Sequence, residues 1–205
     1  RLGQLKLKFL ERDKDAALQA RLKELEQQNK SSNESLLSSG GPVVSIATHP
    51  ARIATAYLAL ESIVRGTMKP GRLMLHISGD VKIPASLKRL QERGLEIHWT
   101  PDYGPHTKYY PCLESLSSSA ELSEPLVTAD DDTLYPEDWL SMLWESHESN
   151  TSAIHAVEVR RITLNKYHFE PYQDWPVCKS NDSTQLKAFI ASGGVIYPCE
   201  FLKLM

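Results

Sequence analysis

The sequence predicts an α/β fold with a mostly parallel sheet flanked by helices and preceded by an amino-terminal helix. From residue 43 onward, short apolar segments of strand length alternate with segments of helical spacing. Glycine, proline and aspartate separate these segments, as they do at turns. The chain has 205 residues, of which 41% are hydrophobic and 24% charged. This composition is typical of one folded domain with a sizeable core and a short appendage.

Residues 1–29 are predicted to form a helix because they are rich in Leu, Lys, Glu, Gln and Ala and contain no proline. Leu18, Leu22 and Leu25 are spaced four and then three residues apart, which places them on one helical face. That face fits either a short coiled coil, through which the chain would self-associate or bind a neighbour, or a helix that packs on its own domain or frays in solvent. Residues 30–42 (KSSNESLLSSGGP) predict a linker, and residues 43–205 the folded domain.

The strands and helices of this domain follow one another along the chain. Five strands are predicted, at residues 43–47, 73–77, 95–99, 125–128 and 153–159. Four segments of helical pattern are found at residues 53–64, 84–93, 110–122 and 136–149. Ligands of parallel sheets bind at the carboxyl ends of the strands. The residues of interest are therefore those at 48–52, 78–80, 101–108 and 130–132.

Three consecutive aspartates, Asp130, Asp131 and Asp132, directly follow the fourth apolar run. Adjacent carboxylates at the end of a buried strand repel one another, so a positive charge is needed to offset them. A hard divalent cation meets this need, and Mg²⁺ or Mn²⁺ keeps open positions for phosphate oxygens. The structural alternative is a solvated acidic turn in which Asp132 caps the next helix. The apolar strand before the aspartates favours a metal–diphosphate site.

Several other classes of protein lack support in the sequence. There is no G-x-x-x-x-G-K-[ST] motif, no G-x-G-x-x-G after the first strand and no G-x-S-x-G, and a D-x-D-x-T phosphatase motif fails in both registers. The formal net charge of −3 gives no reason to expect a nucleic acid partner. No apolar run approaches the roughly 20 residues that a transmembrane helix requires.

Four segments in this order resemble those of GT-A-fold glycosyltransferases, close to the family 2-like bacterial enzymes that build surface polysaccharides. They are VVSIATHPAR (43–52), KPGRLMLHISGD (69–80), GPHTKYYP (104–111) and TADDDTLYPEDWL (128–140). The glycine-rich SGGVIYP (192–198) resembles the acceptor-side segment of the same group. The resemblance implies a GT-A, Rossmann-like fold. It also implies that a sugar is moved from a nucleotide-diphosphate donor to a glycan hydroxyl, with Mn²⁺ or Mg²⁺ as cofactor and inversion at the anomeric carbon.

The resemblance also implies roles for residues in the loops. Thr48, Pro50 and Arg52 would face the nucleotide base and ribose. Asp80 matches the acidic position that bonds the base, and Lys108 matches a basic residue near the nucleotide. Structural alternatives remain open, in which Arg52 covers a helix end, Asp80 forms a turn, and Lys108 is a solvated loop residue.

The triplet and the glycines receive the remaining roles that the resemblance implies. Asp130 and Asp131 would contact the ribose or hold the loop, and Asp132 would bind the metal. Gly193 and Gly194 would lie on the acceptor side, where they either turn the backbone or admit an acceptor sugar.

The general base that an inverting transferase needs is not evident. In the resembling enzymes an acidic motif follows the glycine-rich segment, whereas this sequence ends seven residues after Pro198. Asp174 and Glu200 are the weak candidates that remain. We therefore expect a fragment or module of a longer protein, located in the cytoplasm or at the inner face of a membrane.

Two alternative functions remain at this stage. One is a glycosyltransferase-like module that binds a nucleotide or scaffolds an assembly without catalysis. The other is a nucleotidyltransferase, which would require a glycine-rich loop after the first strand where this chain has Thr-His-Pro-Ala-Arg.

Overall fold

A six-stranded sheet forms the centre of the computed structural model, which describes residues 14–116, 124–178, 186–189 and 193–198. Its strands lie in the order β3 (Leu95–Thr100), β2 (Arg72–Ser78), β1 (Val43–Thr48), β4 (Leu126–Asp130), β10 (Val195–Tyr197) and β5 (His155–Ala156). The first four are mutually parallel, and β10 runs antiparallel to both of its neighbours. The predicted α/β class with a mostly parallel sheet is confirmed, and the order is consistent with a Rossmann-like fold.

Helices cover both faces of this sheet, which explains why β1, β2 and β4 are buried almost throughout. On one face, α2 (Ala56–Val64), α3 (Ala85–Glu92) and α5 (Trp139–Ser149) enclose the larger core. On the other face, α4 (Tyr110–Leu116) and the 3₁₀ helix before it, η1 (Gly104–Lys108), cover a smaller cluster.

The helix predicted over residues 1–29 is present from Lys14 as α1 (Lys14–Ser31), and residues 1–13 of the predicted range lie outside the described residues. Leu25 is fully buried against Leu58 and Leu134, with Leu18 and Leu22 packed beside it. The leucine face for which the sequence left a coiled coil possible therefore packs against the domain of its own chain.

The end of α1 is fixed by a buried polar network. The Asn29 side-chain amide donates to Glu61 Oε1 at 3.0 Å, and the Arg93 guanidinium contacts the same oxygen at 2.5 Å. After the helix, Leu36 is fully buried and its N–H donates to the Arg93 carbonyl at 3.0 Å. The segment predicted as a linker is therefore docked on the domain at this point.

Three element boundaries differ from those predicted. Hydrogen-bonded turns occupy the chain after Pro50, so α2 begins at Ala56 and not at residue 53. Strand β4 extends through Asp130 because it remains paired with β1 as far as Ala47. The strand predicted at residues 153–159 is divided, because β5 joins the main sheet whereas β6 (Val159–Arg161) pairs with β9 (Lys187–Phe189).

Beyond the main sheet, β7 (Leu164–Asn165) and β8 (His168–Phe169) form a small hairpin, followed by the 3₁₀ helix η2 (Tyr172–Asp174). The part of the predicted helix 110–122 that follows Leu116 lies outside the described residues. In the part of the chain that the structure describes, no helix combines the length and the apolar character needed to cross a membrane.

Candidate functional site

Thr48 and Asp131 face each other at the carboxyl ends of β1 and β4. The two strands are parallel neighbours with Ala47 opposite Asp130, so the residues that follow these two, Thr48 and Asp131, also lie side by side. The Thr48 hydroxyl donates a 2.6 Å hydrogen bond to Asp131 Oδ2. Strand pairing alone therefore brings together two of the residues that the sequence assigned to the site.

Asp131 is the buried anchor of the aspartate triplet (Asp130, Asp131 and Asp132). Only 4% of the residue is exposed, and Arg52 donates to its second oxygen, Oδ1, at 3.0 Å. A buried carboxylate is costly unless it is paired and hydrogen-bonded, and Asp131 has both kinds of partner. The hydrogen bond to Asp131 also raises the pKa of Arg52 above its ordinary value, despite some desolvation.

Arg52 also reaches Asp132, whose Oδ2 lies 3.0 Å from the same guanidinium nitrogen. Unlike the contact between Arg52 and the buried Asp131, this contact is open to solvent, because the side chains of Arg52 and Asp132 are 46% and 31% exposed. Ion pairs this exposed contribute little net free energy. A bound cation or phosphate can therefore displace this contact at low cost.

Lys108 contacts the first member of the triplet from the opposite face of the sheet. Its ammonium group pairs with Asp130 Oδ1. The Lys108 carbonyl accepts a 2.5 Å hydrogen bond from the hydroxyl of Ser45, a buried residue of β1. This contact fixes η1 to the sheet, so Lys108 is held at the triplet by its own backbone as well as by its charge.

Three carboxylates and two protein cations therefore meet at this edge of the sheet. Arg52 and Lys108 supply part of the positive charge that the sequence assigned to a metal ion alone. Among the described residues, no group of three or more His, Cys, Asp and Glu side chains is arranged to hold a metal. Mg²⁺ at nucleotide sites is commonly held by one or two carboxylates together with substrate phosphates. The solvent-facing carboxylate of Asp132 fits that role.

Asp80 lies in the neighbouring loop, just after β2, and is exposed. Gly79 precedes it with a φ of +89°, and a Cβ at Gly79 would lie 3.1 Å from Pro50 Cγ. The absence of a side chain at Gly79 therefore lets the loops after β1 and β2 pack together. This contact places Pro50 and Asp80 in adjacent loops on the same side of the site as Arg52.

Tyr135 lies beneath the triplet, and no pattern in the sequence predicts a role for it. Its hydroxyl accepts a 2.7 Å hydrogen bond from the Asp130 N–H, and its ring centroid is 4.2 Å from that of Trp139. Burial raises the pKa of Tyr135 far above its ordinary value, so the hydroxyl stays protonated. The only signal in the sequence was that Tyr135 and Trp139 both lie in the segment 128–140, which also carries the triplet.

Trp139 connects this region to Gly193 and Gly194, the glycine pair. Its indole N–H donates to the Gly193 carbonyl at 2.7 Å. Gly194 has a φ of +102°, and a Cβ there would lie 2.5 Å from the indole ring. Because β10 starts at Val195, opposite Thr128, the glycine pair lies at the end of β4 where the triplet begins.

Of the two weak candidates for the general base, Asp174 lies in the described part of the chain and is not brought to the triplet. Asp174 lines an open cavity of about 600 Å³ beside the β7–β8 hairpin, together with Lys166, Tyr167 and Glu170. The lining of that cavity includes no member of the triplet. Glu200 lies outside the described residues.

No protein-family model matches the chain, and no curated protein matches it either. The interpretation of the site therefore depends on the geometry of its own residues.

Proposed function

We propose that this domain is a glycosyltransferase that moves a sugar from a nucleotide-diphosphate donor to a glycan hydroxyl and uses Mn²⁺ or Mg²⁺. The observation that supports this proposal most is the convergence of Thr48, Arg52 and Lys108 on the aspartate triplet at the carboxyl end of a parallel sheet. Such an edge is where α/β proteins bind nucleotides. The site combines carboxylate oxygen for a metal with basic groups for a diphosphate.

In this proposal, Asp132 would hold the metal ion, which would supply positive charge at the donor diphosphate. Asp131 stays bound to Thr48 and fixes the loop that carries its neighbours. Arg52 and Lys108 lie where negative charge grows on the leaving nucleoside diphosphate, and fixed cations at such a position lower the barrier. Asp80, in the adjacent loop, bonds the nucleotide base.

The acceptor hydroxyl would approach from the glycine pair and displace the diphosphate directly at the anomeric carbon, with inversion. A general base would take the proton of that hydroxyl. We do not assign this base to Asp174, because Asp174 lines the hairpin cavity and not the triplet. A domain that faces cytoplasmic nucleotide sugars, at the inner side of a membrane, is the setting that suits this reaction.

The alternative is a glycosyltransferase-like module that binds a nucleotide without catalysis. One observation favours it: Asp174, the candidate base that the structure describes, lines the hairpin cavity and not the triplet. Such a module would bind nucleotide diphosphates without cleaving nucleotide sugars.

A thermal-shift screen with UDP, GDP, CDP and TDP and their common sugars, with and without Mn²⁺, tests the proposal. A ligand that binds only the folded state raises the melting temperature, and the rise grows with the logarithm of its concentration relative to its dissociation constant. We expect one nucleotide family to raise the melting temperature, and to do so more with Mn²⁺. The absence of a shift with all four families would contradict both the transferase and the nucleotide-binding module.

Cleavage of the nucleotide sugar identified in this way separates the two functions. Release of the nucleoside diphosphate, followed by chromatography, supports the transferase. Binding without release, in the presence of a mixed glycan acceptor pool, would favour the module.

A further inference from the structure

A buried aromatic pair, Tyr135 and Trp139, links the aspartate triplet to the glycine pair. The Tyr135 hydroxyl accepts from the backbone N–H of Asp130 at 2.7 Å. The Trp139 indole donates to the backbone carbonyl of Gly193 at 2.7 Å. The two rings are in contact, so a continuous series of contacts joins the start of the triplet to the segment before β10.

Tyr135 is held by hydrogen bonds of both its side-chain hydroxyl and its backbone N–H. The backbone N–H of Tyr135 donates to the hydroxyl of Ser62 at 2.9 Å, and that hydroxyl donates to the Ala59 carbonyl at 2.7 Å. Both Ser62 and Ala59 are buried in α2. Tyr135 is therefore fixed to the helix that follows the Arg52 loop as well as to the triplet.

The tryptophan end is constrained by shape as well as by its hydrogen bond. Only 2% of Trp139 is exposed, and the indole ring occupies the space where any side chain at Gly194 would begin. A displacement of the glycine pair would leave the indole N–H buried without an acceptor, which is unfavourable. The position of the glycine pair therefore follows the position of Trp139.

A core made only for stability would need the volume of these rings but not their polar atoms. Here each polar atom bonds the backbone of one of the two segments that line the proposed site. We propose that Tyr135 and Trp139 are positioning residues that couple the nucleotide-binding triplet to the acceptor-side glycine pair, an inference that rests on the proposed function. Coupling of this kind matters because transfer requires the two reactants in near-attack geometry.

Nuclear magnetic resonance of the ¹⁵N-labelled chain tests this coupling, with UDP, GDP, CDP and TDP as the probes, each with Mg²⁺ as a diamagnetic metal. We expect the nucleotide that binds to shift the indole resonance of Trp139 and the amide resonances of Gly193 and Gly194. Trp175 provides an internal control, because its indole N–H is also hydrogen-bonded, to the Glu170 carbonyl at 2.9 Å. Its resonance should stay unchanged.

The matched variants are Tyr135→Phe, Trp139→Phe and the control Trp175→Phe. In the first two we expect nucleotide affinity within about threefold of the unmodified chain, because neither side chain is proposed to touch the nucleotide. The shifts at the glycine pair should fall by at least about half. If Trp139→Phe does not fold, Tyr135→Phe, which keeps the ring, decides the outcome.

The possible failures can be told apart. If a nucleotide binds but the glycine pair and the Trp139 indole do not respond, the coupling is wrong and the proposed function stands. The coupling is also wrong if Tyr135→Phe and Trp139→Phe leave the shifts intact, or if Trp175→Phe reduces them equally. If no nucleotide changes any resonance, the proposed function fails, and the coupling fails with it.

Discussion

Arg52 holds a central place in the site at the residue scale. One guanidinium nitrogen lies 3.0 Å from both Asp131 and Asp132, although nearly half of the side chain is exposed. Its contact with the buried Asp131 anchors the loop, whereas its contact with Asp132 occupies the carboxylate proposed for the metal. A metal ion bound as proposed would therefore compete with Arg52 for Asp132.

Replacement of Arg52 by glutamine should change the binding of metal and nucleotide in opposite directions. Mn²⁺ alone should bind up to about fivefold more tightly, since an exposed ion pair contributes about 0.2–1 kcal/mol. Nucleoside diphosphate should bind about tenfold more weakly, because a cation near the phosphates is lost. Titration calorimetry measures both, with Lys88→Gln on α3 as the control for charge. Unchanged or weaker Mn²⁺ binding would refute the competition.

His76 predicts a dependence of stability on pH. It is 1% exposed on β2, and neither ring nitrogen has a hydrogen-bond partner among the described residues. Burial, together with the neighbouring His98, lowers its pKa from 6.5 to about 4, while Glu96 opposes this change. The folded state therefore holds this imidazole neutral where the unfolded chain would protonate it.

The free energy of unfolding should consequently fall as the pH falls from 6.5 to about 4, and His76 should add no further loss below that value. The full loss in the free energy of unfolding over this range amounts to about 3 kcal/mol. In urea unfolding, the free energy of unfolding should differ less between pH 7 and pH 4.5 for His76→Leu than for the unmodified chain. His168→Gln, at an exposed position, should leave the difference unchanged. An unaltered pH dependence in His76→Leu would show that another group is responsible.

At the element scale, the packing of α5 against the start of β10 depends on Gly194. Alanine there would adopt an unfavourable φ of +102° and place its Cβ 2.5 Å from the Trp139 ring. We expect Gly194→Ala to lower the free energy of unfolding by about 3–4 kcal/mol, from strain and overpacking together. Gly40→Ala, at a φ of +81° in open space, isolates the backbone cost of about 1–2 kcal/mol. Equal losses in urea unfolding would show that the indole ring yields without cost.

The docking of α1 on the domain gives a second prediction at this scale. Leu25→Ala should lower the free energy of unfolding by about 2–4 kcal/mol, because it leaves a cavity against Leu58 and Leu134. Its mass per particle in light scattering should not change, because this leucine face is occupied within the chain. Lys23→Ala, on the exposed side of α1, is the control. A change of mass in Leu25→Ala alone would restore the coiled-coil interpretation.

The whole molecule shows which parts of the fold local sequence patterns can predict. Alternation of apolar runs with helical segments was sufficient for the class, because each element carries its own period. The rule that ligands bind at strand ends then selected Thr48, Arg52, Lys108 and the triplet, which the structure brings together. This part of the site depends on strand order, and parallel strands place their carboxyl ends at one edge.

The remaining features depend on contacts between distant segments, which no local pattern contains. The pairing of β10 with β4 and the division of residues 153–159 both depend on the choice of partner strand. Leu36 appeared as part of a linker because its neighbours are Ser, Asn and Gly, yet tertiary packing buries it completely. The link from Tyr135 through Trp139 to Gly193 joins residues 58 positions apart in the sequence, so it is evident only in the folded chain.

Metal-dependent nucleotide binding through Asp132 is tested by calorimetric titration of nucleoside diphosphate with and without Mn²⁺, on the unmodified chain and on Asp132→Asn. We expect Mn²⁺ to tighten nucleotide binding at least about tenfold in the unmodified chain and to have no effect in Asp132→Asn. Glu145→Gln, the same change on an exposed position of α5, should behave like the unmodified chain. Nucleotide binding that is indifferent to Mn²⁺, or that responds to Mn²⁺ equally in Asp132→Asn, would contradict the account.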